Sequence, residues 1–450
     1  MTVIDPNNLD QKPRHRTILR DLLLQADRDQ TGWGEQYWYE VEYKLKRMNV
    51  GVTNTIIKRQ SKKGGFRYDV IDHNALGAGG YGTVYPVIIT YKIVDNKLIA
   101  KHKPPGKRRI AKLIKHNNDE KILEKALVEY KVSSMTPHLS PKFPAIFDSS
   151  IFLISKRIEG QELFNIIKSD RTQIKELTLE QRFQLSLGLI RALQEQVFDP
   201  GLIHRDLKPE NIILDLESGS IGIIDFGLAK IGEKQNKGDC SGSAPYAPPE
   251  TFMNEGRTKE SDVYSLGRIL ALIWRNDLGS YQAGISVKSR LLLAEENDYS
   301  NLFRGIQGLD PKVKSKIRHL LITMTAYHRE ERATLNEAFK QFSAARQLQF
   351  SPPPAPVKEK ELKKESSSST QALSTTQPLS RRHKKDKIIR KEPNKIEEIK
   401  TPKTAKKWNF FNFKNKYKKL TEPKASSKRT KGKGIITQQQ NEENKNLDFP

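Results

Sequence analysis

Ile203-His204-Arg205-Asp206-Leu207-Lys208-Pro209-Glu210-Asn211 gathers a carboxylate, a lysine and a carboxamide into one short string, and its neighbours extend the pattern. Fourteen residues after Asn211 comes Asp225, in Ile224-Asp225-Phe226-Gly227. Ala247-Pro248-Pro249-Glu250 follows. Far upstream lies Leu76-Gly77-Ala78-Gly79-Gly80-Tyr81-Gly82-Thr83-Val84, a G-x-G-x-x-G-x-V pattern. Glycines allow sharp turns and close approach of backbone to phosphates. Taken alone, the glycine string also reads as a glycine-rich hairpin, and Asp-Phe-Gly as a common turn. A dinucleotide fingerprint would need a helix directly after the glycines. Here Thr83–Val94 is β-branched and aromatic instead, which reads as a strand.

The four segments, in this order and spacing, resemble the eukaryotic-type serine/threonine protein kinase family over residues ~65–345. The resemblance implies an α+β, bilobal protein kinase fold, with a small β-rich N-lobe and a larger helical C-lobe. It implies ATP and Mg²⁺ as cofactors and proteins as substrates. Under it, Asp206 is the base that receives the substrate hydroxyl proton, and Lys208 contacts the γ-phosphate. Asn211 and Asp225 are the Mg²⁺ ligands, and hard oxygen donors suit that ion. Gly77, Ala78, Gly79, Gly82 and Val84 cover the nucleotide.

Two lysines compete for the phosphate anchor, Lys101 after Ala100 and Lys112 after Ala111. The alternation of Arg109–Ile114 and a spacing of 17 residues to Glu129 favour Lys112, with Glu124 the rival partner for Glu129's place. That choice leaves an insertion at ~95–107 between the second and third kinase strands. Phe152–Leu163 resembles the segment joining the lobes. It puts the small Ser155 behind the adenine pocket and Lys156-Arg157 where an acidic residue is common. In the activation segment, Ser243 falls where Ser/Thr kinases carry a hydroxyl that bonds the catalytic loop. Asp239 occupies the usual activating phosphosite and is expected to pair with Arg205, with Ser241 as an alternative phosphosite. Asp262 resembles the residue that braces the catalytic loop, and Arg332 the late arginine that pairs with Glu250.

Composition bounds the rest. The 450 residues carry a net charge of +26, with 36% hydrophobic and 29% charged residues. Residues 351–450 hold 26 Lys/Arg against 11 Asp/Glu, more than half of the excess in under a quarter of the length. The single cysteine, Cys240, makes the fold independent of an oxidising compartment. No basic segment followed by an apolar run opens the chain, and no apolar stretch is long enough to span a bilayer, so a soluble protein is expected. Three regions follow. Residues 1–64 are a partly helical N-terminal extension, with Thr17–Ala26 in helical period. Residues 65–345 are the kinase domain, in which Thr178-Leu179-Glu180-Gln181 reads as a capping box before a long apolar helix. Residues 346–450 are a low-complexity basic tail, opened by Ser351–Pro356 and expected to be disordered.

Within the tail, Lys406–Lys419 interleaves lysines with Trp408, Phe410, Phe411, Phe413 and Tyr417. That pattern suits an anionic membrane surface and, less well, nucleic acid. Arg381–Lys385 and Lys428–Lys431 also fit nuclear-import signals. The Lys/Ile/Asn-rich composition, Thr136-Pro137-His138-Leu139 and a polar C-terminus with Glu442-Glu443 resemble kinases that bacteria deliver into host cells through type IV secretion. This implies a secreted virulence effector acting on host proteins. Two other classes remain open at this point: a pseudokinase scaffold, which loss of Asp206, Asn211, Asp225 or every anchoring lysine would favour, and a tether working mainly through the tail.

Overall fold

The 13-residue run Gly82–Val94 becomes the central strand of a large sheet, as its β-branched and aromatic content dictates. The computed structural model describes residues 2–9, 12–25, 38–44, 46–62, 64–80, 82–147, 149–232, 242–276, 286–296 and 299–351. All of them fall in the first of the two units into which the chain divides, Met1–Lys358. The basic tail, Asp239, Cys240 and Ser241 therefore lie outside the described residues, and so do the expectations attached to them.

Two sheets build the N-terminal half. β1 (Thr2–Ile4) and β2 (Trp38–Tyr43) flank β3 (Lys46–Val52), the first parallel and the second antiparallel to it. The second sheet contains β4 (Ile56–Gln60), β5 (Phe66–Ile71), β6 (Gly77–Gly79), β7 (Gly82–Val94), β8 (Lys97–Lys101), β9 (Arg109–Lys115), β10 (Ala145–Ile146) and β11 (Ser150–Lys156). Its order is β10-β11-β9-β7-β5-β4, with β6 and β8 folded back onto β7. The β7–β8 turn is Asp95-Asn96, both at positive φ (47° and 57°). This pair gives a tight two-residue hairpin whose twist matches the strands. The expected insertion at ~95–107 is therefore this turn, the whole of β8 and a short loop.

Helix α1 (Pro13–Gln25) buries Ile18, Leu19, Leu22 and Leu23 against Val70, Ile89, Tyr91 and Leu98 of the large sheet. Tyr91 also donates its hydroxyl to the Pro6 carbonyl at 2.7 Å. Arg20 Nη1 reaches the Asn96 carbonyl at 2.8 Å and ties the helix to the hairpin turn. The boundary expected near residue 64 cuts through this core. β4 pairs with β5 from Ile56↔Val70 to Gln60↔Phe66, so the sheet begins before that boundary. The first 60 residues look polar because α1 spends only one stripe on the core. Helix α2 (Glu120–Ser133), capped by Asp119 accepting from Lys121 N–H at 2.8 Å, packs Ala126 on Ile151 and Leu153.

The C-terminal half is helical. α3 (Leu163–Arg171) and α4 (Leu179–Leu193) come first, and α4 ends in a π-turn at Gln194–Phe198. The capping box at its start is formed: Gln181 N–H donates to Thr178 Oγ1 at 3.1 Å, and Thr178 N–H to Gln181 Oε1 at 2.9 Å. Short strands β12 (Gln161–Glu162), β13 (Leu202–Ile203), β14 (Ile212–Leu214), β15 (Ile221–Ile223) and β16 (Lys230–Ile231) pair β12-β14-β15 and β13-β16. Helices α5 (Pro249–Phe252), α6 (Lys259–Ile273), α7 (Val287–Glu296), α8 (Pro311–Met324) and α9 (Leu335–Phe350) complete the lobe. Trp274 is fully buried at its centre, with its Nε1–H on Ser186 Oγ at 3.1 Å and its ring near Phe183, Phe303 and Phe342. α9 continues past the expected domain end at 345, and Phe350 meets Phe183 at 5.9 Å. Among the described residues, no helix is long and apolar enough to cross a membrane.

The shared core makes the N-terminal residues structural. Leu19→Ala, at a fully buried position, is expected to cost about 2–5 kcal/mol in urea unfolding. Leu24→Ala, at a residue 54% exposed, is expected to stay within about 0.5 kcal/mol. Equal costs would mean that α1 does not share the core of the large sheet.

Candidate active site

β6 and β7 form a hairpin in which Gly77 pairs with Val84, Ala78 with Thr83 and Gly79 with Gly82. Gly82 has φ 126°, and a Cβ there would clash with the Leu113 carbonyl oxygen. No other residue fits this approach of β7 to β9. Gly77, Ala78 and Gly79 are exposed at the hairpin tip, with open space where Cβ atoms on Gly77 and Gly79 would sit.

Below the hairpin, Lys112 projects from β9. Its Nζ donates to Glu129 Oε1 on α2 at 2.8 Å and to Asp225 Oδ1 at 2.9 Å. Lys101 lies on β8, exposed and paired across to Thr90, and does not reach this group. Glu124 is exposed, whereas Glu129 is buried. Burial opposes the charge on Lys112, but the two carboxylates hold its pKa above the ordinary lysine value. Burial would raise Asp225; Lys112 outweighs it and holds that carboxyl low. For Glu129, burial leads and the Asp225 charge adds to it, so its pKa is pushed up against the pull of Lys112. One ammonium thus serves two carboxylates.

The second group lies in the loop after β13. Asp262, fully buried on α6, accepts the backbone N–H of His204 at 2.6 Å and of Arg205 at 2.9 Å. This holds Arg205 at φ 70°, a region uncommon for a non-glycine residue. Asp206 then meets three side chains. Ser243 donates its N–H and its hydroxyl to Asp206 Oδ1, each at 2.9 Å. Lys208 Nζ lies 3.2 Å from Oδ2 and donates to Ser243 Oγ at 3.1 Å. Asn211 Nδ2 donates to the Asp206 carbonyl at 2.8 Å, which leaves its amide oxygen as a donor for a cation. Arg205 Nη1 donates to the Leu228 carbonyl at 3.3 Å.

Phe226, buried between the two groups, packs its ring against His204 at 4.9 Å and His138 at 6.3 Å. Burial lowers the His138 pKa, and His138 Nε2 bonds the Ile223 carbonyl at 2.6 Å. The hinge follows β11: Ser155 is half-buried opposite Ile110, and Lys156 N–H donates to the Leu139 carbonyl at 2.7 Å. At the far end of the activation segment, Glu250 and Arg332 form a buried two-armed ion pair at 2.7 and 2.8 Å, and Ser261 adds a hydrogen bond at 2.7 Å.

Sequence reasoning missed Arg257. Its guanidinium donates to the Arg205 carbonyl and fills the space a Cβ on Gly242 would need. A lone arginine ahead of a capping box carries no pattern that would have marked it. His138 was noticed only for its segment, and its contact with Phe226 depends on the fold.

The donor set suits a hard divalent cation. Glu129, Asp225 and Asp206 outnumber Lys112 and Lys208 by one charge, and the Asn211 amide adds an uncharged oxygen. Lysines, carboxylates and an amide oxygen between the sheet half and the helical half offer the cationic and hard-oxygen groups that phosphate and a divalent cation each need.

Comparison with known proteins agrees. Residues 70–342 match the model of the protein kinase domain, so the chain belongs to the protein kinase family. It is 31% identical over 205 residues to the serine/threonine-protein kinase SCH9 of Saccharomyces cerevisiae, covering 43% of this chain and 22% of that one. It is 26% identical over 274 residues to the CBL-interacting serine/threonine-protein kinase 18 of Arabidopsis thaliana, covering 58% and 47%. It is 24% identical over 290 residues to the probable serine/threonine-protein kinase pknA2 of Bifidobacterium longum, covering 62% and 35%. The chain thus spans less than half the length of each of these relatives.

The Glu250–Arg332 pair has a testable sign. Burial alone would raise the Glu250 pKa; Arg332 and Ser261 more than reverse this, so it lies below the ordinary 4.5. A carboxylate lowered in the folded state stabilises above its unfolded pKa, and this is lost as pH falls through the folded value. Arg332→Met is therefore expected to cost about 3–5 kcal/mol near neutral pH. The gap from the parent should narrow below pH 4.5 in denaturant unfolding, and a gap independent of pH would refute the assignment.

Proposed function

We propose that the chain transfers the γ-phosphoryl group of ATP to serine or threonine hydroxyls of proteins. The observation that carries this reading is Lys112 Nζ held between Glu129 and Asp225, at 2.8 and 2.9 Å, with the next residue, Phe226, packed on His204 of the Asp206 loop. Lys112 anchors the ATP phosphates, and Glu129 fixes its position. Gly77, Ala78, Gly79, Gly82 and Val84 close over them. Asp225 and Asn211 would hold Mg²⁺, which would supply positive charge to offset that of the phosphates. Asp206 orients the substrate hydroxyl and takes its proton as the new P–O bond forms. Lys208 meets the transferring phosphoryl group, and the bond to the β-phosphate oxygen breaks to release ADP. Positioning and charge stabilisation supply most of the rate.

Ser243 supports the serine/threonine choice, since its hydroxyl bridges Asp206 and Lys208. Arg205 is the group that Asp239 would pair with, giving an enzyme active without an upstream kinase. On sequence grounds the substrates are proposed to be host proteins reached by secretion, with the tail segment Lys406–Lys419 resting on an anionic membrane.

Phosphate transfer from labelled ATP onto a basic protein substrate tests the core reading. Asp206→Asn is expected to lower turnover about 10²- to 10⁴-fold with the fold retained. Lys112→Met should raise KM for ATP and lower turnover, while Lys101→Met does neither. Asp239→Ala should reduce turnover without added kinase. Transfer that survives both Asp206→Asn and Lys112→Met would refute the reading.

Truncation after residue 350 separates the tail. The shortened protein should keep phosphotransfer and lose both binding to anionic vesicles and export in a translocation reporter. Retained export would remove the secretion proposal, and retained vesicle binding the membrane proposal.

A further inference from the structure

Six cations from separate stretches of chain gather on one side of the N-lobe: Arg59, Lys62, Lys101, Lys103, Arg109 and Lys142. Sheet register puts two of them, Arg59 and Lys101, on one face. Arg59 on β4 stands opposite Arg67, Asp69 opposite Thr90, and Thr90 opposite Lys101. Paired residues share a face, and Arg67 and Asp69 are two apart on β5, so one row crosses the sheet. Tyr68, Val70, Ile89 and Tyr91 point the other way, into the core with α1. Arg109 opens β9 and donates from Nη1 to the Ser140 carbonyl at 3.1 Å. Lys142 N–H donates to the Ile154 carbonyl at 2.8 Å, which holds the 140–142 loop beside the row.

One carboxylate lies within the row, and it is already engaged. Asp69 is fully buried, takes both Arg59 Nε and Nη2, and accepts the Thr90 hydroxyl at 2.7 Å. Among the described residues, no carboxylate lies within ion-pair distance of Lys62, Lys101, Lys103 or Lys142. Lys103, Arg109 and Lys142 are half-buried. Burial lowers the Lys103 pKa, and Lys101, Arg109 and Arg59 lower it further against the opposing pull of Asp69. Burial also lowers Lys142, followed by Arg109, Lys62, Arg59 and Lys103. The fold thus keeps ammonium groups where desolvation and repulsion both disfavour their charge. Partly buried positive charge set against one carboxylate that is already engaged is characteristic of sites that bind a counter-charge.

We propose that this cluster binds a compact, multiply charged phosphate anion, a small polyphosphorylated molecule. The geometry favours it over larger polyanions. A nucleic-acid duplex presents phosphates along a line and is met by an extended stripe, whereas Arg59, Lys62, Lys103 and Arg109 all lie within electrostatic reach of one side chain, Lys142. A membrane surface is met by exposed aromatics beside the lysines, and the β5 aromatics Phe66 and Tyr68 alternate onto the opposite face. Lys112 belongs to the other group, between Glu129 and Asp225, so this site is separate from the nucleotide cleft and does not rest on the phosphotransfer reading.

Tripolyphosphate titrated into the Lys112→Met protein, with the ATP anchor removed, tests the proposal by calorimetry at about 0.15 M salt. Lys103→Gln with Lys142→Gln is expected to weaken binding at least about tenfold. Lys316→Gln, at an exposed lysine of α8, should leave it unchanged. Thermal melting gives a second readout. Without ligand, the double variant should melt at or above the Lys112→Met parent, because repulsion has been relieved. With tripolyphosphate the parent should gain stability and the double variant should not. Affinity unchanged by the double variant would overturn the proposal. So would a double variant that melts well below the parent, which would make the lysines structural. Tighter binding of duplex DNA or anionic vesicles through the same two lysines would overturn the small-molecule assignment.

Discussion

A single buried carboxylate holds the catalytic loop in place. Asp262 sits on α6 with no exposed surface and accepts two consecutive backbone N–H groups, from His204 and Arg205. Burial pushes its carboxyl up, and the two amides together with the His204 and Arg257 charges pull it back. The loop conformation is unfavourable without this, since Arg205 sits at φ 70°. A residue in that region costs of order 1–3 kcal/mol and persists only when its surroundings over-determine it. Arg257 on the Arg205 carbonyl and Phe226 on the His204 ring complete those surroundings. Asp206 inherits its direction from this arrangement before any of its own side-chain bonds form.

Asp225 poses the same problem on the facing wall, at φ 60°. There the compensation comes from Lys112. The ammonium draws together a strand residue, a helix residue and a loop residue, so the position of α2 and the conformation at Asp225 are parts of one electrostatic arrangement. Glu129, which is buried, could not carry its charge there without it, because an unpaired buried charge costs several kcal/mol. Gly227 lies against both, where a Cβ would stand 3.3 Å from Asp225 Oδ1 and from Glu129 Oε2. A side chain at that point would press on the pair.

The sequence made the kinase strings legible because their chemistry sits in contiguous residues: Asp206, Lys208 and Asn211 span six positions. The α4 capping box and the start of α6 were legible for the same reason. Lys112 was harder, because two Ala-Lys pairs lie on consecutive strands, and the alternation of Arg109–Ile114 and the spacing to Glu129 favoured one that the fold then joins to Glu129. The N-terminal 60 residues were read as an extension since α1 shows one apolar stripe and β2 and β3 are rich in charge. Their contribution emerges only when Ile18, Leu19, Leu22 and Leu23 meet Tyr91 and Leu98, residues some 70 positions away in the chain. Arg257, His138 and the cationic row were invisible for the same reason: each is assembled by long-range contact.

β7 shows how one strand serves several purposes through its period of two. At its start, Gly82 lets the backbone press against Leu113 and begins the hairpin over the cleft. Further on, Ile89 and Tyr91 face α1, while Thr90 between them faces Asp69. At its end, the Asp95-Asn96 turn returns the chain as β8 and receives Arg20 from α1. A register slip of one residue would move Thr90 into the α1 core and Tyr91 among the cations, leaving a buried hydroxyl without Asp69 and an aromatic ring in water. The buried Asp69–Thr90 hydrogen bond therefore fixes the register of the same strand that ends in the glycine hairpin. The N-terminal residues thus share one buried core with the strand that carries the glycine hairpin, and the polar row lies on the opposite face of that strand.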